Sequence, residues 1–180
     1  MKKIVKIEGL RPVATSLERL ILYGNQIEVI EGLDAMQKLR EKNLKKNKIY
    51  GSSVSKLAGN PTLMQTLEIL NLSYNQIEEG DLENVATVIL QMKQLKQLDL
   101  YGNPLADNQT YKYRLCVNPA LVTFDGLDLK PGSLMRQRLD QLRTDYETSR
   151  LLETTHQQAQ KWITSERTIK AAAIDQLLLR

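Results

Sequence analysis

Cysteine is nearly missing: Cys116 is the one thiol in 180 residues. One thiol cannot staple a fold, so a reducing compartment is expected. Aromatic residues make up only 5% of the chain, with one Phe and one Trp, so the core must be aliphatic. His156 is the one histidine, which leaves the commonest metal and acid–base ligand in short supply. No run of about 18 apolar residues occurs, which argues against a membrane-spanning helix. The opening Met1-Lys2-Lys3-Ile4-Val5-Lys6 is basic, but no apolar run or small-residue cleavage site follows it. A secretory leader is therefore not expected, and cytosol or nucleus is the expected setting.

Charge of one sign is also scarce. The net value is +4, too small to imply a nucleic-acid partner by itself. It is unevenly spread. Residues 1–50 hold 11 basic and 6 acidic groups, residues 51–132 hold 6 and 9, and residues 133–180 hold 8 and 6. Such polarity orients a partner more than it attracts one broadly.

What the chain does have is a repeat. Leu17-x-x-Leu20-x-Leu22-x-x-Asn25-x-Ile27 aligns with Leu39-x-x-Lys42-x-Leu44-x-x-Asn47-x-Ile49. Leu67-x-x-Leu70-x-Leu72-x-x-Asn75-x-Ile77 and Leu95-x-x-Leu98-x-Leu100-x-x-Asn103-x-Leu105 follow the same pattern. Ile-Glu-Gly-Leu occurs at both 7–10 and 30–33, which suggests a partial repeat before the first full one. The Leu-x-Leu pair has the period of a strand, so those leucines point inward together. The Asn amide can both donate and accept where the chain turns out of the strand. A single repeat cannot bury its own apolar face, whereas stacked repeats share one core and one parallel sheet.

The asparagines lie 22, 28 and 28 residues apart, so thin early repeats and thicker later ones are expected. Ser53 to Ala58 has room for a short helix. Asp81 to Leu90 fits a longer one, with Asp81 as N-cap. Lys42 stands where the other repeats have Leu. Either its stem is buried with the head snorkelling to water, which is preferred, or the strand shifts locally.

This pattern resembles the leucine-rich-repeat proteins. The run Gly102-Asn103-Pro104-Leu105, Tyr113-Arg114, then Asn118-Pro119-Ala120-Leu121-Val122-Thr123-Phe124-Asp125-Gly126 resembles the C-terminal cap of one of their branches. That branch includes the outer-arm dynein light chain, the spliceosomal A-prime protein, a phosphatase-regulating nuclear protein and ciliary proteins. Phe124 replaces the usual Leu, and the short interval from Arg114 to Pro119 implies a shortened cap helix. The implied fold is an α/β solenoid: a right-handed superhelix with a parallel concave sheet, about 4–5 repeats over residues 1–132, followed by a long C-terminal helix.

Residues 133–180 contain no Gly and no Pro, and Ser133 is a fitting N-cap. A continuous helix of that length would span about 72 Å. Met135, Leu139, Leu142 and Tyr146 should pack on the cap. Leu152, Ala159, Trp162, Ile163, Ile169, Ala173 and Leu177 form a looser stripe, expected on a distal half that projects or binds a partner as a coiled coil or in a groove. The alternative is a hairpin folded back on the domain.

Nothing in the pattern supports catalysis. His156 has no cysteine or carboxylate cluster beside it, Cys116 reads as a small buried filler, and no phosphate-loop motif follows Gly51. No metal site, cofactor or small-molecule substrate is expected. Alternation instead assigns an outward set on the concave face: Arg19, Ile21 and Tyr23; Glu41, Asn43 and Lys45; Ile69, Asn71 and Ser73; Gln97, Asp99 and Tyr101. Tyrosine with flanking Arg suits an interface. Lys38, Arg40, Lys42, Lys45, Lys46 and Lys48 form the densest basic stretch. It reads as a solvated face or as a contact for an acidic surface such as tubulin, or for RNA. Few aromatics accompany it, which counts against single-stranded RNA.

The resemblance implies a non-enzymatic adaptor in a large assembly, first a cilium or flagellum, with axonemal or cytoskeletal partners such as tubulin or dynein subunits. The alternatives are a nuclear ribonucleoprotein subunit like the A-prime protein and a phosphatase regulator. Direct contact with nucleic acid or membrane is not expected.

Overall fold

The computed structural model describes the backbone of residues 2–107, 111–116 and 118–178, and side chains as far as residue 164 apart from Tyr113. Three-residue strands recur at the repeat positions: β1 (Arg19–Ile21), β2 (Glu41–Asn43), β3 (Ile69–Asn71) and β4 (Gln97–Asp99). They pair in parallel in chain order, and β5 (Thr123–Phe124) and β6 (Leu127–Asp128) extend the sheet, the last pair antiparallel. This is the leucine-rich-repeat solenoid that the sequence pattern implies. Leu20, Lys42, Leu70, Leu98 and Phe124 are consecutive partners in register. All five are buried. Phe124 thus takes the inward place of a fifth leucine.

The return segments thicken along the chain. No helix lies between β1 and β2. Between β2 and β3 come α1 (Gly51–Ser55), a 3₁₀ turn and α2 (Pro61–Thr66). Between β3 and β4 lies α3 (Leu82–Gln91), which buries Leu82, Val85, Val88 and Ile89. Asp81 does not cap α3. Its carboxylate accepts from Glu78 N–H at 3.0 Å, inside a preceding 3₁₀ turn of Glu79–Asp81, so the helical entrance starts earlier than the periodicity suggests. The cap helix α4 (Tyr111–Leu115) has one turn and a little more.

The asparagines form a ladder behind the strands. Asn75 donates to Leu72 O at 2.8 Å and to Leu44 O of the previous repeat at 3.0 Å, and accepts from Ile49 N–H at 3.0 Å. Asn47 and Asn103 make the same three bonds one rung away on either side. Asn25 accepts from Ile4 N–H, so the partial N-terminal repeat is a rung as well. Its second half packs closely: a Cβ on Gly32 would meet Ile7 O at 2.3 Å.

The ladder ends on Asp125. One carboxylate oxygen accepts from Leu100 and Tyr101 N–H, and the other from the Tyr111 hydroxyl at 2.5 Å. Burial, then that hydrogen bond, raises the Tyr111 phenol pKa. Asp125 and Gly126 have φ of 48° and 76°, the two left-handed residues of a tight hairpin turn between β5 and β6.

The chain divides into two compact units, Met1–Asp140 and Gln141–Arg180. The helix α5 (Leu134–Leu178) begins in the first, so the helix start near 133 is not where the units part. Ser133 Oγ accepts from Arg136 N–H, the capping bond expected of it. The Arg136 guanidinium donates to the carbonyls of Cys116, Asn118, Pro119 and Leu121, tying α5 to the cap loop. Within the first unit Leu139 is buried, whereas Met135 stays more than a third exposed, so its expected packing is corrected: helical spacing names a face but not the extent of surface available to cover it.

Lys42 departs from both readings made of it. The strand does not shift, and the head does not reach water. The side chain is 0% exposed and its Nζ has no hydrogen-bond partner. Parallel strands on both sides hold the position inward, and the stem is enclosed along its length. Burial pushes its pKa well below the ordinary lysine range. The unfolded chain therefore binds more protons than the folded one between the depressed pKa and about 10.4, and stability rises with pH across that window. Lys42→Leu should be more stable than the wild type near pH 7. The gap should narrow as the pH rises toward about 10, by at most roughly 1.4 kcal/mol per pH unit, in urea unfolding. A gap that is constant with pH would show a charged, compensated lysine instead. Leu98→Ala, a truncation in the same inward row, should cost about 2–5 kcal/mol.

Candidate functional site on the open sheet face

The strand residues that alternate with the buried row form the open face of the sheet. Ile21 is 56% exposed and Tyr23 50%. Arg19 is exposed, and its Nε lies 2.6 Å from a Glu41 carboxylate oxygen. Ile69, Asn71, Gln97, Asn43, Lys45 and Tyr101 are half-buried. Two assigned residues are not free surface. Ser73 is 0% exposed and donates to Asn71 Oδ1 at 2.6 Å. Asp99 is 7% exposed and accepts from Asn71 and Gln97 side-chain amides. Burial raises its carboxyl pKa. The alternation rule fails at Ser73 because the strand stops at Asn71 and the next residues turn. At Asp99 it gives the right face but not the neighbours that cover it.

The two edges of this face differ. At the leading edge, Glu68 bridges Arg40 and Lys96, each at 2.7 Å. Hydrogen bonds from Lys96 and then Arg40 hold the Glu68 carboxyl below its usual value. Both cations there are thus paired with one carboxylate.

At the exit edge, tyrosines and lysines alternate. Lys46 Nζ lies 5.7 Å from the ring centroids of both Tyr23 and Tyr74. Lys45 Nζ lies 5.4 Å from the Tyr74 ring and 5.2 Å from the Tyr101 ring. It also donates to the Tyr101 hydroxyl at 2.7 Å. That bond raises the Lys45 pKa and lowers that of the Tyr101 phenol. Tyr74 and Tyr101 meet edge to face at 5.2 Å.

Tyr74 was not among the residues assigned from sequence, and Lys46 was named only as part of the basic stretch and not of the concave set. A signal was present: they occupy the position that Gly24 and Gly102 hold in the flanking repeats. All four have φ between 55° and 72°. The basic stretch is also redistributed. Lys42 is inside, Arg40 pairs at the leading edge, and Lys45 and Lys46 sit among tyrosines drawn from other repeats. The scarcity of aromatics near those lysines is a property of the sequence and not of the surface.

The second assigned surface lies on α5. Leu152 and Trp162 are about two-thirds exposed at 67% and 65%, Ile163 is 41% exposed, and Ala159 is exposed. The side chains of Ile169, Ala173 and Leu177 lie outside the described residues. His156 is exposed on the same helix. Cys116 is buried, and burial pushes its thiol pKa up to about 12, away from nucleophile chemistry. Among the described residues no group of three or more His, Cys, Asp or Glu could hold a metal ion. No described helix is long and apolar enough to cross a membrane.

Comparison with known proteins agrees with this architecture. The leucine-rich-repeat family pattern matches residues 64–86. Comparison with curated protein sequences finds no match. Among solved structures, a chain in the crystal structure of the Drosophila melanogaster SNF/U2A′ complex is similar, with 23% identity and a TM-score of 0.63. The match covers 84% of this chain and 83% of that one. The chain has the leucine-rich-repeat fold. Solenoids of this kind present extended binding surfaces.

The exit edge depends on Gly102. A Cβ there would come within 2.5 Å of the Tyr74 ring. Gly102→Ala should therefore cost more than about 1 kcal/mol in urea unfolding. Gly59→Ala, with nothing within 4 Å of the new Cβ, should cost less.

Proposed function

We infer that this protein is a non-enzymatic subunit that holds another protein on the open face of its sheet. The observation that carries the reading is the exposed set Arg19, Ile21, Tyr23 and the neighbouring tyrosines, displayed on strands whose backs are fully buried. A rigid scaffold lowers the ordering cost of binding, and tyrosine and arginine are frequent anchors. The stripe of α5 with Leu152, Ala159, Trp162 and Ile163 is a second docking segment, consistent with an adaptor that joins two partners.

For the assembly, the similarity to a chain of the SNF/U2A′ complex favours a ribonucleoprotein subunit that binds a protein partner, with a nuclear setting. The axonemal reading, with tubulin or dynein subunits as partners and a ciliary location, rests on the cap and repeat pattern and on a C-terminal helix suited to docking; the phosphatase-regulator reading rests on the cap and repeat pattern. Proximity labelling of the full chain in its native cell separates them. Ribonucleoprotein neighbours are the expected result, and exclusively axonemal neighbours would reverse the choice.

With the partner in hand, Arg19→Ala and Tyr101→Ala should each weaken binding by about 1 kcal/mol or more while the melting temperature stays near that of the wild type. Unchanged affinity in both variants removes the sheet face as the docking surface.

A further inference from the structure

The exit edge carries more organisation than a generic docking face needs. Lys46 and Tyr74 each have φ of 55°, in left-handed backbone where the flanking repeats use glycine. A side chain held there is strained relative to glycine. Two adjacent repeats bear that strain, and both side chains enter one cluster. The result is a ridge in the order Tyr23, Lys46, Tyr74, Lys45, Tyr101, with each ammonium set between two rings.

The charge of this ridge is not paired at contact distance, although the Asp99 carboxylate attracts Lys45 at longer range. Among the described residues, neither Lys45 nor Lys46 lies within ion-pair distance of a carboxylate. The two nearby acids are committed inward. Asp99 is buried beneath amide donors, and both oxygens of Asp125 are taken by Leu100, Tyr101 and Tyr111. The leading edge, where Arg40 and Lys96 both pair with Glu68, shows the paired alternative on the same face.

We propose that the ridge binds an acidic segment of a protein partner, with carboxylates seated on Lys45 and Lys46 between the tyrosine rings. This rests on the reading of the sheet face as a protein-docking surface. The rings hold the lysine heads in place before binding, so little rotamer freedom is lost when a carboxylate arrives. The same arrangement disfavours single-stranded nucleic acid. Bases stack on open ring faces, and here Tyr74 has a lysine ammonium near it from each of two repeats, and Tyr23 and Tyr101 one each.

The test is fluorescence anisotropy of labelled octaglutamate with the full chain at low ionic strength. Lys45→Gln/Lys46→Gln should weaken binding about tenfold, whereas Lys38→Gln/Lys93→Gln, which removes equal charge from other exposed sites, should change it by less than about twofold. Tyr74→Ala should also weaken it, and Tyr74→Phe should not. Melting temperatures distinguish lost binding from lost folding. Three results overturn the proposal: no binding by the wild type, equal losses in the two double variants, or oligouridylate binding more tightly than octaglutamate through the same two lysines. A native partner weakened by Arg19→Ala but not by Lys45→Gln/Lys46→Gln overturns the acidic-segment assignment and leaves the docking face standing. Insensitivity to all these variants removes the docking face itself.

Discussion

Each asparagine of the ladder serves two turns of the chain at once. At Asn47, Asn75 and Asn103 the amide nitrogen donates to its own repeat and to the one before, whereas Asn25 donates within its own repeat; in all four the oxygen accepts a backbone N–H from the earlier repeat. Most of these bonds are buried, where an unmade partner would cost about 1–3 kcal/mol. They fix the offset between neighbouring repeats. Once that offset is set, the strands pair in register, the inward row lines up, and the side chains between its members are left on the open face. The sheet and its surface both depend on this spacing.

The inward row tolerates change because its geometry is imposed by neighbours on either side. Lys42 keeps its register between Leu20 and Leu70 although it brings a nitrogen without a partner into the core. Phe124 continues the row at the cap, against the edge of the Tyr111 ring at 5.8 Å. The solenoid end is closed by a carboxylate in place of an amide: Asp125 collects two backbone N–H groups and the Tyr111 hydroxyl. Its neighbour Gly126 turns the chain back as a short antiparallel pair, so the last parallel edge is covered.

The open face inherits a division from the same construction. At the leading edge, side chains from successive repeats are close enough to pair with one another. At the exit edge, the backbone enters left-handed conformation in order to leave the strand, and two repeats place large side chains there. That choice turns a row of turns into a ridge of rings and ammonium groups.

Much of the fold was legible from leucine, asparagine and their spacing, because a strand has a period of two and one repeat cannot bury itself. The four repeat strands, the inward leucines and the thin and thick returns follow from those rules, while β5 and β6 were not read from the repeat; the Ser133 cap and the buried Cys116 were legible from their own local chemistry. The Asp125-Gly126 hairpin and the left-handed position shared by Gly24, Lys46, Tyr74 and Gly102 were also written in the sequence, as turn chemistry. Contacts between residues distant in the chain were not. Tyr23, Lys45, Tyr74 and Tyr101 come from four repeats, and only stacking makes them neighbours. Ser73 and Asp99 lose their exposure to side chains that no local pattern names. Lys42 is enclosed because the strands flanking it hold its side chain inward. Period and composition determined which residues face in and which face out; the packing of one repeat on the next decided which outward residues touch, which are covered and which charge stays unpaired.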